Sequence, residues 1–212
     1  MSRPKGHRDA NYEAKRRDLL RKMTLAMLQR SGGSMSLRDL ASAAEVSVPT
    51  LRHYFGLRQG IVEAVFEEAL RLGRQGLDAQ RASDKPFDMS IRDYASALTY
   101  ALDNAREPRL GDLFAVSLAE GLMDAKIARA TLRHIVDPTI EALVQRLTLH
   151  MDRGDMVRTD ARAAALMLLS PILLASLHQN QLNGAQHQPM ELANVASTVA
   201  DAFVRAFREP CA

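Results

Sequence analysis

The amino-acid sequence predicts an all-α protein, and three observations support this prediction. Apolar residues recur every three or four positions through most of the chain, which is the period of a buried helical face. No stretch alternates apolar and polar residues for long enough to predict a strand. Aliphatic residues and alanine dominate, tryptophan is absent and aromatic residues are 5% of the chain. This composition is typical of a helical protein with a sizeable core.

The length of 212 residues allows one large domain or two modest ones. Cys211 is the only cysteine, so no internal disulfide can form, and a reducing, cytoplasmic location is expected. No apolar run follows the basic N-terminus, so the sequence predicts no signal peptide. The uncharged stretch 163–181 includes polar residues and a proline, so we expect no membrane span.

Residues 36–58 predict two short helices joined by a tight turn. The first has one apolar face, formed by Leu37, Leu40, Ala41 and Ala44. Ser36 is expected to cap its N-terminus, and Asp39 has the spacing of a capping-box partner. The turn is Glu45-Val46, and the apolar Val46 is expected to pack between the helices.

Ser47 is the expected N-cap of the second short helix, and Pro49 lies in its first turn, where a missing N–H is tolerated. Leu51, with Tyr54 or Phe55 one turn later, is expected to anchor it inward. The outward side chains are then Val48, Pro49, Thr50, Arg52 and His53. Small, hydroxyl and cationic side chains on a short exposed helix suit a DNA major groove. The sequence therefore predicts a helix-turn-helix.

The distribution of charge agrees with that prediction. Residues 1–60 contain 12 Lys and Arg against 5 Asp and Glu, whereas residues 61–212 contain 16 against 20. The basic excess thus lies on the segment with the predicted motif, as expected for a module that binds phosphates.

Two flanking helices complete the predicted N-terminal head. The first, 12–29, carries an apolar stripe and ends at the 31–33 Ser-Gly-Gly; the second runs from Arg58 to about residue 80. Residues 1–11 are polar and basic with no apolar face, so we expect a disordered arm that either follows DNA or has no role.

Residues 36–58 resemble the TetR family of bacterial transcriptional regulators in their sequence, SLRDLASAAEVSVPTLRHYFGLR. The resemblance includes a helix before this segment and a long helix after it. The resemblance covers about 60 residues. Three positions depart from the family pattern: Glu45 replaces the usual Gly, Leu57-Arg58 replaces Ser-Lys, and Arg52 replaces a common Tyr. We interpret these departures as variation in stability and in operator choice.

The resemblance implies roles for residues of the head. Arg52, His53 and Thr50 are expected to read base edges, beside Ser47, Val48 and Pro49 at the start of the same helix. Ser36, Tyr54, Lys15 and Arg58 are expected to hold phosphates, Arg58 because the start of the connecting helix contacts the DNA backbone in the family.

The remaining chain predicts further helices at 89–104, 107–118, 124–151, 160–182 and 189–207, with a break after Glu120-Gly121 and an interruption at Pro138. The expected division is residues 1–58 for DNA binding, 59–80 for the connecting helix, and 81–212 for effector binding and dimerisation. The penultimate helix is apolar nearly all round, so it must be buried on every side. The resemblance implies a homodimer through 160–181 and 189–207, and hence an inverted-repeat operator in double-stranded DNA.

The resemblance also implies a cavity for a small effector inside the C-terminal domain. The composition favours a hydrophobic or amphipathic compound. Candidate lining residues are Tyr94, Tyr100, Arg106, Phe114, Met123, His134, His178 and Asn180.

The sequence leaves two alternative classes of function. An all-helical enzyme is disfavoured, because the sequence contains no nucleophile elbow, phosphate loop or metal-ligand spacing, and no cofactor is expected. An architectural or protein-interaction dimer that binds DNA without an effector is the stronger alternative, and a fully packed C-terminal domain would favour it. The expected function is a ligand-responsive DNA-binding repressor.

Overall fold

The computed structural model describes residues 5–29, 34–103 and 109–209, and within these ranges the chain is helical. The helices are α1 (Lys5–Gln29), α2 (Leu37–Ala43), α3 (Val48–Phe55), α4 (Arg58–Gln80), α5 (Phe87–Asp103), α6 (Leu110–Met123), α7 (Ala125–Thr131), α8 (Asp137–Arg153), α9 (Ala161–Ser176) and α10 (Leu192–Phe207). No strand forms in the described ranges, where Met156 and Arg208 make an isolated bridge. The all-α prediction is confirmed.

The head consists of α1, α2 and α3 packed with the start of α4. Its centre is fully buried and combines Leu19 and Met23 of α1 with Leu40 of α2 and Leu51 of α3. Ser36 and Asp39 form the predicted capping box at the start of α2. The head core continues into the rest of the molecule as one contacting cluster of buried apolar side chains.

Helix α1 begins at Lys5 rather than at the predicted residue 12, so the expectation of a disordered arm is wrong for residues 5–11. The prediction relied on the missing apolar face. Extending a helix that is already packed requires far less than starting one, so a polar segment can continue it. The predicted Ser-Gly-Gly end of α1 lies outside the described residues.

The body is a layered bundle in which α10 packs on α5 and α9, α8 packs on α9, and α4 crosses from the head to α7 and α8. The long helix predicted at 124–151 is two helices separated by a wider, π-helical turn at Leu132–Val136. Pro138 provides the reason, because it has no N–H for the His134 carbonyl. The predicted interruption at Pro138 is therefore confirmed.

Two predicted boundaries in the body are wrong. The sequence predicts an end of this helix near residue 118, whereas α6 runs through Glu120-Gly121 to Met123, and the predicted break follows at Asp124. A Cβ on Gly121 would lie 2.9 Å from Thr131 Oγ1, so this glycine allows α6 to approach α7 closely. The last helix begins at Leu192 rather than at residue 189, because buried Gln179 accepts a hydrogen bond from Met190 N and donates one to Gln188 O.

The segment Ala161–Gln181 is long and apolar enough to cross a membrane by length and composition alone. In this fold it includes α9, which packs against α5, α8 and α10. One face of α9 nevertheless stays exposed in the single chain. The prediction of burial on every side is therefore not met by the body alone.

Candidate nucleic-acid interface and internal cavity

Helix α3 is built as the sequence predicted. Ser47 Oγ caps it by accepting a hydrogen bond from Thr50 N, and the same oxygen lies 2.8 Å from Thr50 Oγ1. Pro49 lies in the first turn, and Leu51 is fully buried in the head core. Gly56 ends the helix with a φ of +73°, a backbone conformation that glycine adopts without strain.

The outer surface of α3 is only partly the one predicted. Pro49, Arg52 and His53 are exposed, whereas Val48 and Thr50 are half-buried. Val48 packs against the edge of the head core. Arg52 and His53 are therefore the side chains of α3 that are best placed to meet the edges of base pairs.

An aromatic cluster joins α3 to α1. Tyr12 stacks on Tyr54 with ring centroids 4.7 Å apart, and His53 meets both rings edge-on at 6.1 Å and 5.3 Å. Tyr12 was not among the predicted site residues, although it stands at the start of the predicted first helix. The stacking fixes Tyr54 and places the start of α1 beside the exposed surface of α3.

The remaining predicted contacts of the head, Ser36 and Lys15, are both exposed. Lys15 Nζ lies 3.8 Å from Asp18, a distance that leaves the ammonium accessible to a phosphate. Both residues retain the exposure that a phosphate contact requires.

The turn between α2 and α3 uses Glu45 in a left-handed conformation, with φ at +56°. This position carries the strain that glycine would avoid. Lys22 Nζ of α1 donates a hydrogen bond to Glu45 Oε2 at 2.5 Å, and this bond lowers the pKa of the Glu45 carboxyl. The side chain thus gains a partner at the place where the backbone is strained.

Arg58 does not occupy the predicted position on the DNA surface. Its Nε donates to Met35 O, and its Nη2 pairs with Glu120 Oε1 of α6. The Arg58 side chain is 25% exposed and that of Glu120 only 4%. The guanidinium faces the body because a buried carboxylate lies there, which the sequence could not show across 62 residues. The phosphate-binding role expected for Arg58 is therefore withdrawn.

A second contact crosses the same junction between head and body. Gln59 Nε2 donates to Asp124 Oδ2 at 3.0 Å, while Asp124 Oδ1 caps α7 by accepting from Lys126 N and Ile127 N. These hydrogen bonds, led by that from Gln59, lower the pKa of Asp124. The first turn of α4 is thus attached at two points to the corner between α6 and α7.

The body contains a cavity of about 290 Å³ between α4, α5, α6 and the segment from the π-helical turn into α8. Its polar lining residues are Gln80, Tyr94, His134 and Thr139, and the others are Gly, Ala, Leu and Ile. Gly73 and Gly76 lie about one turn apart on the same side of α4, and a Cβ on either would meet no atom within 4 Å. Both are exposed, so the cavity opens to solvent past them.

Two of the predicted effector-binding residues, Tyr94 and His134, line this cavity. Tyr100 is 65% exposed and lies instead in a separate groove between α5 and α10, and Met123 is 83% exposed. The reason is helical phase, because α5 buries the face that carries Tyr94 and turns Tyr100 outward.

Three further candidates have other environments. Phe114 is buried in the core without lining the cavity. His178 Nδ1 lies 2.8 Å from Gln179 Nε2, and Asn180 donates to Asp103 Oδ1 at 3.3 Å. Arg106 lies outside the described residues.

Gln80, Thr139 and the two glycines of the cavity were not among the predicted lining residues. The available signal was the spacing of Gly73 and Gly76, which puts both on one side of a long helix. Each interior glycine destabilises a helix by about 1 kcal/mol relative to alanine, so a pair suggests that space is needed there.

Arg146 of α8 holds the wall of the cavity behind Tyr94. Its guanidinium lies 5.7 Å from the Tyr94 ring centroid and donates to the carbonyls of Gln80 and Ser90. It also donates to Ala79 O in the last turn of α4 and to Ala82 O just beyond the helix. The cation therefore satisfies terminal carbonyls of α4 and fixes that end against α5.

No protein-family model matches this chain, and no curated protein matches it either. Solved structures, in contrast, do match this chain. A TetR-family transcriptional regulator from Mesorhizobium loti superposes with a TM-score of 0.69 at 16% identity, covering 93% of this chain and 98% of that one. Reduced NemR of Escherichia coli gives 0.69 at 18% identity, covering 93% and 100%. The TetR-family regulator PfmR of Thermus thermophilus gives 0.62 at 20%, covering 88% and 97%.

These similarities extend over nearly the whole length of both partners, head and body together. The structure independently contains the helix-turn-helix, the connecting helix and the cavity-bearing body that the resemblance in residues 36–58 had implied. The chain has the fold of the TetR-family transcriptional regulators.

Proposed function

We propose that this chain is a TetR-family transcriptional repressor that binds an inverted-repeat operator as a homodimer and releases it when a small molecule occupies the cavity. The observation that supports DNA binding most directly is helix α3. Its N-terminus is capped by Ser47, Leu51 anchors it, and Arg52 and His53 are exposed on its outer side. Such a helix fits the width of the major groove, where Arg commonly contacts guanine.

The proposed contacts fall into two groups. Arg52 and His53 read base edges, with Thr50 at their margin. Lys15, Ser36 and Tyr54 hold phosphates around them. The basic excess of residues 1–60 supports this division, since phosphate contacts supply much of the affinity of DNA-binding proteins.

The exposed face of α9 supports the homodimer. The residues along this face are Ala163, Leu166, Met167, Ser170, Pro171 and Leu174. Their spacing of three and four places them in one stripe, and a stripe this apolar favours contact with another protein surface. The exposed residues of neighbouring α10 are mainly small or polar, which allows close approach. A two-fold pairing of α9 and α10 would cover the stripe on both copies.

The proposed switch connects the cavity to the head through α4 and α6. Both helices line the cavity, and both also contribute to the junction where Arg58 pairs with Glu120. A ligand that favours one spacing of α4 and α6 would therefore bias the position of the head. The cavity itself favours this reading over an effector-independent architectural dimer, for which a filled body would be expected. A cytoplasmic location follows from the proposed role.

The test begins with selection of duplexes from a random library at low salt, followed by fluorescence anisotropy on the selected sequence. Arg52→Ala should lose about 1–3 kcal/mol of discrimination at one or two base pairs. Arg158→Ala, which removes an exposed arginine of the body, is the matched control and should bind like the wild type. Failure to select any sequence, or unchanged discrimination in Arg52→Ala, would contradict the proposal.

A further inference from the structure

We infer that the cavity of the body binds an uncharged, mainly apolar molecule that presents one oxygen acceptor to Tyr94 and His134. This inference rests on the proposed function, because it describes the molecule that the regulator would recognise. It is drawn from the unpaired polar atoms of the cavity, its apolar surroundings and its size.

Tyr94 carries an unpaired hydroxyl in the cavity wall. Its side chain is 3% exposed, and among the described residues the hydroxyl makes no hydrogen bond. Burial raises the pKa of Tyr94, so the hydroxyl keeps its proton and remains a donor at physiological pH. A buried donor without a partner is unfavourable, and an acceptor on a bound molecule would relieve it.

His134 is a second unpaired group on the same cavity, and its side chain is nine-tenths buried. Nδ1 is inaccessible and has no partner among the described residues. An unpaired lone pair is tolerated in such a place better than an unpaired N–H, so in the neutral ring the proton belongs on Nε2. His134 then presents an N–H donor to the cavity. Gln80 Oε1, on the same lining, is a buried acceptor with no partner among the described residues. A carbonyl or hydroxyl oxygen on the bound molecule pairs with the two donors, and a hydroxyl group can also donate to Gln80.

The rest of the described lining disfavours a charged ligand. No Asp, Glu, Lys or Arg among the described residues lines the cavity, and an unpaired charge in an apolar site is strongly disfavoured. The volume of 290 Å³ is modest for a ligand site. One water molecule occupies about 30 Å³ in the liquid, and a non-hydrogen atom of a ligand occupies somewhat less. The cavity therefore accommodates on the order of ten to fifteen non-hydrogen atoms. A one- or two-ring ketone or alcohol meets both conditions.

The test compares three compounds on the same ring system: 1-tetralone, the parent hydrocarbon tetralin, and tetralin-1-carboxylate. Binding to the full chain without DNA is measured by isothermal titration calorimetry and ligand-observed NMR. We expect 1-tetralone to bind at least threefold more tightly than tetralin and tenfold more tightly than the carboxylate. A carboxylate that binds as well as the ketone, no advantage of ketone over hydrocarbon, or no binding of either neutral compound overturns the inference.

Matched variants locate the site. Tyr94→Phe should weaken 1-tetralone about three- to tenfold, as expected for one hydrogen bond, and leave tetralin unchanged. Tyr100→Phe, on the exposed side of the same helix, should have no effect. Gly76→Leu should block both neutral compounds, while Gln75→Leu on the outer face of α4 should not. Ketone affinity that is indifferent to both Tyr94→Phe and Gly76→Leu contradicts the inference.

Adding the selected operator separates this inference from the proposed function. If the binding of 1-tetralone depends on Tyr94 but does not change the affinity of the protein for the operator, the proposed switch is wrong and the inferred chemistry of the cavity stands. If operator binding is normal but the carboxylate is preferred, the inference fails and DNA binding stands.

Discussion

Arg58 at the first position of α4 forms an ion pair with Glu120 of α6, and this pair joins the head to the body. Glu120 Oε2 is buried with no partner among the described residues, so Arg58 provides the main compensation for the carboxylate. Removing one member of a buried pair leaves the other charge uncompensated.

Arg58→Met should therefore destabilise the protein by about 3–5 kcal/mol, whereas Arg58→Met combined with Glu120→Leu should recover much of that loss. Urea unfolding followed by circular dichroism measures both. Arg71→Met is the control, because it breaks an exposed pair with Glu68 and should change stability by less than about 1 kcal/mol. Equal effects of Arg58→Met and Arg71→Met would show that the junction pair is not buried in solution.

Asp124 makes the stability of the junction depend on acidity. Its pKa is lowered in the folded protein, so the charged carboxylate contributes stability above about pH 5, and this contribution is lost as the pH falls through 4 towards the folded pKa. Asp124→Asn keeps a capping side chain but does not titrate. The wild type should be the more stable protein at pH 6, and the difference should shrink by pH 3. Urea midpoints across this range check the prediction, and a difference that does not change with pH would contradict it.

The strained turn of the helix-turn-helix gives a prediction at Glu45. Glu45→Gly and Glu45→Ala both remove the pair with Lys22, but only glycine relaxes the left-handed backbone. Glu45→Gly should therefore be more stable than Glu45→Ala by about 1 kcal/mol. Thermal unfolding of the two variants measures this difference. Equal stability would mean that the turn adopts another backbone conformation in solution.

The exposed stripe of α9 predicts the oligomeric state. Leu174→Glu places a charge in the proposed dimer surface and should convert a dimer to a monomer in light scattering coupled to size exclusion. Leu72→Glu is the control, because Leu72 of α4 is exposed to a similar extent, 68% against 65%, but lies outside the stripe. A wild-type monomer, or a Leu174→Glu dimer as stable as the Leu72→Glu one, would refute the pairing.

The local structure of the head was predictable residue by residue. Capping by Ser36 and Ser47 and the start of α4 at Arg58 depend on neighbours within a few positions in the chain. The start of α1 and the end of α6 were not predictable in this way. The missing apolar face of residues 5–11 did not prevent a helix that is already packed from extending, and the close approach of α6 to α7 at Gly121 accompanies its continuation to Met123.

The cavity was much less predictable. The sequence could name Tyr94 and His134 among several polar residues, but it could not choose between them and Tyr100 or His178. That choice depends on the rotation of each helix about its axis and on which helices face one another. Moving one position along a helix is enough to turn a side chain away from the cavity and towards solvent.

The sequence by itself determined the all-α class, the helix-turn-helix and the surface helix that carries Arg52 and His53, because these follow from periodicity and capping over short distances. Only the tertiary structure decided that Arg58 faces Glu120 and that Gly73, Gly76, Tyr94 and His134 surround one space. Contacts between residues far apart in the chain leave no local pattern, so their partners are known only once the helices are packed.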